Sequence, residues 1–403
     1  MGKGFIKVLE KVFFVTPEFV TEKENFDGGL ANYLSKIAPA LAERGLEVTV
    51  IVASNISNDE EIFWNSVRVV RVGVRNNLLR AIEKISFGII EPGARWLYQS
   101  FKLNNRLKTE LLSSRANFIV QYSSYCVPSV FAPSKIPFVV RISGYQPQIL
   151  LENGGKICSF KYIQIKWLEH FMLKRAKFIF GPSNLIADIV NEVTGRPPRV
   201  IRTPLKPVDS VVGSCVPEAL RGKKYLLFFG SLSILKGIPE IAVILKDLFK
   251  TQPEIVFAFA GKSASGIVDS LKKAADIFQD RVVYLGQLNR SELHPVISHA
   301  YRVVLPSRFD NLPNTCLEAM GHGRIVIGTR GVTFDEVIED GKNGFLCEKQ
   351  NPESLLETIL KSLNLSDEES EKMESLARRA TEAFSLDQIV NELLKYYSEA
   401  INK

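Results

Sequence analysis

The segment richest in chemistry in this 403-residue sequence is Val303-Val304-Leu305-Pro306-Ser307-Arg308-Phe309-Asp310-Asn311-Leu312-Pro313-Asn314-Thr315-Cys316-Leu317-Glu318-Ala319-Met320. An apolar run ends in a polar loop, and the loop opens into a helical pattern. Asp310 falls in the loop, and Glu318, eight residues on, falls roughly one turn into the helix. The two carboxylates therefore address different parts of one ligand. The N–H groups near Asn314 and Thr315 form an anion site at the helix start. Carboxylates accept from hydroxyls while a helix start donates to phosphate oxygens, so the layout suits a sugar diphosphate.

Two glycine frames could serve the same ligand. Gly230-Ser231-Leu232-Ser233-Ile234-Leu235-Lys236-Gly237 directly follows an apolar run at 225–229, and Lys236 reads there as a phosphate contact. Asp27-Gly28-Gly29-Leu30 precedes a helical pattern. Gly28 and Gly29 let the backbone approach a phosphate or sugar, and the helix adds its dipole. The histidines (170, 294, 299, 322) and the cysteines (126, 158, 215, 316, 347) have no metal or redox spacing, and no Asp-x-Asp pair exists. No metal and no cofactor are expected, and the cysteines are expected to be reduced and buried. Lys236 and helix dipoles then carry the diphosphate.

The elements that position these residues alternate strand, loop, amphipathic helix, strand. The run 13–15, the helical spacing of Leu30, Leu34, Ile37 and Leu41, and the β-branched run 48–52 make one βαβ unit. Further strands are predicted at 67–72, 118–121, 137–142, 178–181 and 199–202, with helices through 78–115 and 160–176. Residues 204–222 hold prolines and glycines without apolar periodicity and read as a linker. The alternation then restarts. Strands are predicted at 225–229, 255–260, 282–285, 302–306 and 324–328. Helices are predicted at 238–250, 267–278, 291–300 and 315–322, and near 367–382 and 385–401. Asn351-Pro352 offers a helix cap and first-turn proline. The predicted organisation is an amino-terminal domain 1–205, a linker 206–222, a second domain 223–382 and a closing helix 383–403. The fold class is α/β: two Rossmann-like, doubly wound domains facing a cleft, where ligands bind beyond the carboxyl ends of strands.

No stretch reaches the roughly 18 apolar residues of a spanning helix, and the lysine-bearing start reads as a first strand rather than a signal peptide. The expected location is cytoplasmic, with peripheral contact at the inner membrane face. The net charge of +7 is uneven: residues 1–205 carry 27 Lys and Arg against 17 Asp and Glu, and residues 206–403 carry 24 against 27. The excess gathers in 78–115 and 156–177, among Trp96, Tyr98, Phe101, Phe160, Tyr162 and Trp167. A solvated face explains this as well as docking on an anionic membrane surface, which salt would weaken. No recognition motif for nucleic acid accompanies the charge.

The segment 303–320 resembles the carboxylate–seven residues–carboxylate motif of family-4 retaining glycosyltransferases of the GT-B fold. The run Leu317-Glu318-Ala319-Met320, then Gly323, and the run Phe334-Asp335-Glu336 through Asn343-Gly344-Phe345-Leu346 match that family as well. Asp310 stands where the family usually has Glu. The resemblance implies that Glu318 holds the donor ribose. It places the transferred sugar on Asp310 and the following amides, at Asn311 and Leu312. Lys236 matches the family's diphosphate-gripping lysine, while Ser231 replaces its arginine; Arg308, at the neighbouring strand end, is the candidate substitute. Ser143 stands where relatives place a histidine near the sugar. The implied reaction moves a sugar from a nucleotide-sugar donor to a glycan or lipid-linked acceptor, with retention. Asp310 and Lys236 are at its centre, no conventional general base is needed, and bacterial surface polysaccharide synthesis is the implied context. Two other readings stay open here. A non-catalytic sugar-nucleotide-binding subunit is motivated by Ser231 and Ser143. A sugar-nucleotide epimerase on the same fold is disfavoured by the histidine-poor amino half.

Overall fold

A computed structural model describes residues 8–21, 28–86, 89–205 and 216–402. They divide into two compact units. One comprises residues up to 151, 155–204 and 386 onward, and the other comprises 152–154 and 205–385. Residues 206–215 of the expected linker lie outside the described residues.

The first unit holds β1 (Lys11–Thr16), β2 (Glu47–Ser54), β3 (Glu60–Trp64), β4 (Val67–Gly73), β5 (Phe118–Ser123), β6 (Phe138–Arg141), β7 (Phe178–Gly181) and β8 (Arg199–Val200). Their order is β3-β4-β2-β1-β5-β6-β7-β8, parallel throughout except that β3 runs antiparallel to β4. The helices are α1 (Gly29–Glu43), α2 (Asn77–Ile85), α3 (Gly93–Leu112), α4 (Gln146–Glu152), α5 (Phe160–Arg175) and α6 (Asn184–Thr194). β1 is buried at every position, as a central parallel strand covered on both faces must be. The edge strand β3 is closed by charge: Glu60 lies opposite Arg71 in the register and pairs with it at 2.5 Å.

The second unit holds β9 (Lys224–Phe229), β10 (Ile255–Ala260), β11 (Val282–Tyr284), β12 (Arg302–Leu305), β13 (Val326–Thr329) and β14 (Phe345–Cys347) in the all-parallel order β11-β10-β9-β12-β13-β14. Its helices are α7 (Ile238–Thr251), α8 (Ile267–Ala274), α9 (Arg290–Ser298), α10 (Asn314–Gly321), α11 (Pro352–Leu363) and α12 (Asp367–Ala380). The chain winds from β9 outward through β10, then returns to β12 on the other side. The carboxyl ends of β9 and β12 are thus a topological switch point. Asn351 caps α11 as its sequence predicts, accepting from the N–H of Ser354 at 3.0 Å.

The last helix, α13 (Leu386–Ile401), belongs to the first unit. Ile389, Val390 and Leu393 are buried there, Tyr397 donates to Gln121 on β5 at 2.5 Å, and Tyr396 donates to the Ile179 carbonyl on β7 at 2.9 Å. β3, β14, α4 and α6 go beyond the sequence-based expectation. The helix expected through 267–278 stops at Ala274 and gives way to a tight turn at Asp276–Arg281, which Asp276 enters with φ +57°.

Candidate active site

Lys236 closes a single 3-10 turn after β9, and Asp310 sits in the loop between β12 and α10. Because β9 and β12 are neighbours, the two loops meet. Lys236 Nζ donates to Asp310 Oδ2 at 2.5 Å, with both side chains largely buried. Several contacts fix this approach. The N–H of Arg308 donates to the Leu235 carbonyl at 2.8 Å. Gly237, at φ +78°, lies so close to Pro306 that any Cβ there would overlap the proline's carbonyl oxygen. Phe309 and Leu312 are buried and anchor the second loop, and Thr333 Oγ1 donates to the Asp310 carbonyl at 3.4 Å. The Asp310 carboxylate also accepts from the N–H of Asn311 at 2.9 Å, which orients it.

Arg308 is committed elsewhere. Its Nε and a terminal nitrogen reach one oxygen of Glu240 in α7, at 2.8 and 2.7 Å. The substitute charge expected of Arg308 is therefore balanced by a buried carboxylate. The pair fastens the first turn of α7 to the loop that carries Asp310. Glu240 escaped the sequence reading, although its place four residues after Lys236 in a helix start was the available signal.

The helix starts also differ. α2, α5, α6, α9, α11 and α12 begin with a side-chain cap from Asn76, Ser159, Ser183, Asn289, Asn351 and Ser366. α1, α7 and α10, which follow the central strands β1, β9 and β12, begin at Gly28, Gly237 and Pro313 without one, as α3 and α8 do at Pro92 and Gly266. Their first amides are thus not taken up by a capping side chain. Thr315, in the first turn of α10, lies beside Gly230: a Cβ on that glycine would come within 3.9 Å of its methyl group. Asn314 shares that turn, Glu318 is half-buried further along the same helix, and Ser231 is exposed after β9. A cation, an oriented carboxylate and an uncapped helix start therefore share one strand-end site.

Residues 223–364 match the family model for Glycosyl transferases group 1, and residues 28–206 match that for the Glycosyl transferase 4-like domain. The chain belongs to the group 1 glycosyltransferases, of the GT-B fold. Spore coat protein SA of Bacillus subtilis is 28% identical over 189 residues, which are 45% of this chain and 50% of that protein. The glycosyltransferase chain thus spans about half the length of that curated relative. Among solved structures, it is similar to sucrose-phosphate synthase from Thermosynechococcus elongatus, with TM-score 0.77, 15% identity and coverage of 98% and 99% of the two chains. It is also similar to trehalose-6-phosphate from E. coli bound with UDP-2-fluoro glucose, with TM-score 0.74, 10% identity and coverage of 97% and 99%.

The remaining expected residues of the glycosyltransferase fall as follows. Gly28 and Gly29 lie in the first unit at the start of α1, where a Cβ on Gly28 would come within 3.0 Å of a Glu18 carboxylate oxygen; Asp27 lies outside the described residues. Ser143 accepts from Arg141 at 3.3 Å, and its N–H donates to Ser124 Oγ at 2.9 Å. Cys126, Cys316 and Cys347 are buried, but Cys158 is exposed, against expectation: it lies in the turn just before α5, which is exposed among the described residues. Cys215 lies outside the described residues. Burial, then the nearby Asp310 carboxylate, pushes the Cys316 thiol up, so it stays protonated beside the site. Among the described residues no group of three or more His, Cys, Asp or Glu stands together as a metal site.

Proposed function

We propose that this glycosyltransferase moves a sugar from a nucleotide-sugar donor to a glycan or lipid-linked acceptor, with retention at the anomeric carbon, in building a bacterial surface polysaccharide. The observation that carries this reading is the Lys236–Asp310 pair beside the uncapped start of α10. A donor entering there replaces one ion pair by two contacts: the diphosphate takes Lys236, and the sugar hydroxyls take Asp310. Negative charge grows on the departing diphosphate, so Lys236 and the amides of Asn314 and Thr315 act mainly in the transition state. Asn311 and Leu312 offer their amides to the sugar, and Glu318 takes the ribose hydroxyls. Gly28 and Gly29 are proposed as further donor contacts. Since Glu240 balances Arg308, the arginine missing at Ser231 leaves Lys236 as the principal cation for the phosphates. No resident metal or cofactor is part of this reading. The acceptor is proposed to be presented at an anionic membrane surface on the cytoplasmic side; among the described residues no helix is long and apolar enough to cross a membrane.

A thermal-shift screen against a panel of nucleotide sugars tests the reading. One donor should raise the melting midpoint, and its turnover should survive a chelator. No shift with any donor, or activity lost with chelator and restored by manganese or magnesium, overturns it. Binding without transfer or hydrolysis would identify a non-catalytic subunit instead.

A further inference from the structure

The basic helices of the first unit are not alike. On α3, Arg95 pairs with Glu83 at 2.6 Å and with Glu91 at 3.0 Å. Arg106 pairs with Glu110 at 2.8 Å and with Glu61, and both carboxylates also hold Arg68. On α5, Lys161, Lys166 and Lys174 have no carboxylate partner among the described residues. The only acidic residue of 156–177 is Glu169, which is buried. Desolvation holds its carboxyl above the ordinary range, and it accepts from the N–H of Gln146 at 3.1 Å rather than from a lysine. Arg175 gives its guanidinium to the Val130 and Ala132 carbonyls, which leaves its charge uncompensated.

α5 is apolar on two sides. Ile165, Leu168, Met172 and Leu173 are buried in the unit. On the other side Phe160, Ile163, Trp167 and Phe171 recur at helical spacing and are 59%, 53%, 63% and 43% exposed. Trp167 and Phe171 stack at 5.7 Å. A groove of about 600 Å³ runs along this stripe, bordered by Ile157, Ile163, Lys166, Trp167, Phe171 and Lys174. Gln164 joins the stripe to the connection between α2 and α3, contacting the Ile89 carbonyl and the N–H of Gly93. Ile89 is exposed there, as are Leu78, Ile82 and Ile85 on α2.

A helix apolar all round is normally covered on both sides. The cores of protein interfaces are depleted in lysine, yet Lys166 and Lys174 border this groove. Aromatic and aliphatic side chains with lysines at their margin are what a helix lying in a lipid interface presents, because lysine stems lie along apolar surface while their heads stay at the phosphates. We propose that the exposed face of α5, with Ile89 and the exposed residues of α2, docks on an anionic bilayer, its rings and aliphatic side chains entering the acyl boundary and its lysines meeting lipid phosphates. The purpose of the docking rests on the membrane-presented acceptor proposed above, but the contact itself does not. Apolar insertion distinguishes it from attraction by charge alone: salt weakens the binding without abolishing it.

Sedimentation of the full chain with vesicles tests this. The protein should bind phosphatidylcholine–phosphatidylglycerol vesicles, keep part of that binding at high salt, and bind phosphatidylcholine alone poorly. Trp167→Ser with Phe171→Ser should weaken binding by about tenfold or more at any salt. Lys166→Gln with Lys174→Gln should weaken it roughly tenfold at low salt only and reduce the preference for anionic lipid. Both double variants should keep the parent's melting midpoint and its donor-induced shift. Failure of the docking is thereby separable from failure of the donor site. Parent protein that ignores both vesicle types overturns the proposal, as does a Trp167/Phe171 variant that binds like the parent. A parent dimer that this variant dissolves would show that a second copy covers the face, and would overturn it too.

Discussion

Lys236 and Arg308 each stand against a carboxylate, Asp310 and Glu240, whereas Lys161, Lys166 and Lys174 on α5 have none among the described residues. A cation already paired is held in one place, and a ligand reaches it only by offering more than its present partner does. Such a charge suits a defined group in a defined pose. A cation without a partner keeps its rotamers and its hydration, and contributes a field rather than a contact. The two regions thus use positive charge for different work: the strand-end loops for geometry, the helix face for attraction. α3 is the instructive intermediate, basic in composition like α5: Arg95 and Arg106 are paired like the loops, while Lys102 and Lys108 have no carboxylate partner among the described residues.

The largest expected effect comes from breaking the paired side of this contrast. Lys236→Ala removes the proposed diphosphate contact and leaves Asp310 without its ion partner. Turnover of the donor found by thermal shift should fall by about 10²–10³-fold, mainly in kcat, as for loss of a group that stabilises transition-state charge. Steady-state kinetics check this; a fall of less than about tenfold would reduce the pair to a loop clasp.

A second test lies where cations crowd a buried group with no carboxylate acting on it. Burial, then His294, Arg324, Arg378 and Arg290, bring His322 down to about 4. The unfolded chain takes up a proton near the ordinary value of 6.5, while the folded chain stays neutral until about 4. The stabilisation is therefore full above about pH 6.5 and is lost as pH falls through that window, up to about 3 kcal/mol. Urea unfolding near neutral pH and near pH 4 should show that loss for the parent and a smaller one for His322→Gln. Equal losses would mean that this ring does not carry the pH dependence.

The smallest effect sharpens the contrast between the two helices. Arg106→Gln removes a charge of the same sign from α3, but one already spent on Glu110 and Glu61. Vesicle binding should stay within about twofold of the parent, and stability should drop by no more than about 1 kcal/mol. A loss matching that of the α5 lysine variant would erase the distinction between paired and unpaired charge.

The second unit was the more legible of the two. Its central strands are continuous apolar runs such as Tyr225–Phe229, buried on both faces, and runs of that kind declare parallel strands without periodicity. The loop carrying Asp310 was legible because a strand end, a carboxylate and a helix start follow one another within a few residues. Pairing was not legible. Nothing in the order of residues assigns Arg308 to Glu240, since that contact depends on two strands being neighbours. The same holds for α3 in part: Glu110 stands four residues after Arg106 on one helix, but only packing brings Glu61 to Arg106 and Glu83 to Arg95. β3 was missed because an edge strand closed by Glu60 and Glu61 carries charge where a buried strand carries apolar residues, and β14 because three residues make no pattern. α5 misleads in another way. Its composition showed a charged face with aromatics among the lysines, but with apolar residues on two sides the sequence alone does not say which side meets the protein.

α13 has a consequence for how the molecule is made. Synthesis runs from the amino end, and domains ordinarily fold as they emerge, the first before the second. Here the last piece of the first unit, from 386 onward, is separated from the rest of it by residues 205–385. Its sheet lacks Tyr396, Tyr397 and the apolar face of α13 until the last helix has left the ribosome. At about 5–20 residues per second, the intervening stretch delays that helix by roughly 10–40 s. The second unit has all of its own strands well before then. The half of the protein that is translated first is therefore the half completed last, and during that interval β5 and β7 wait with an uncovered flank.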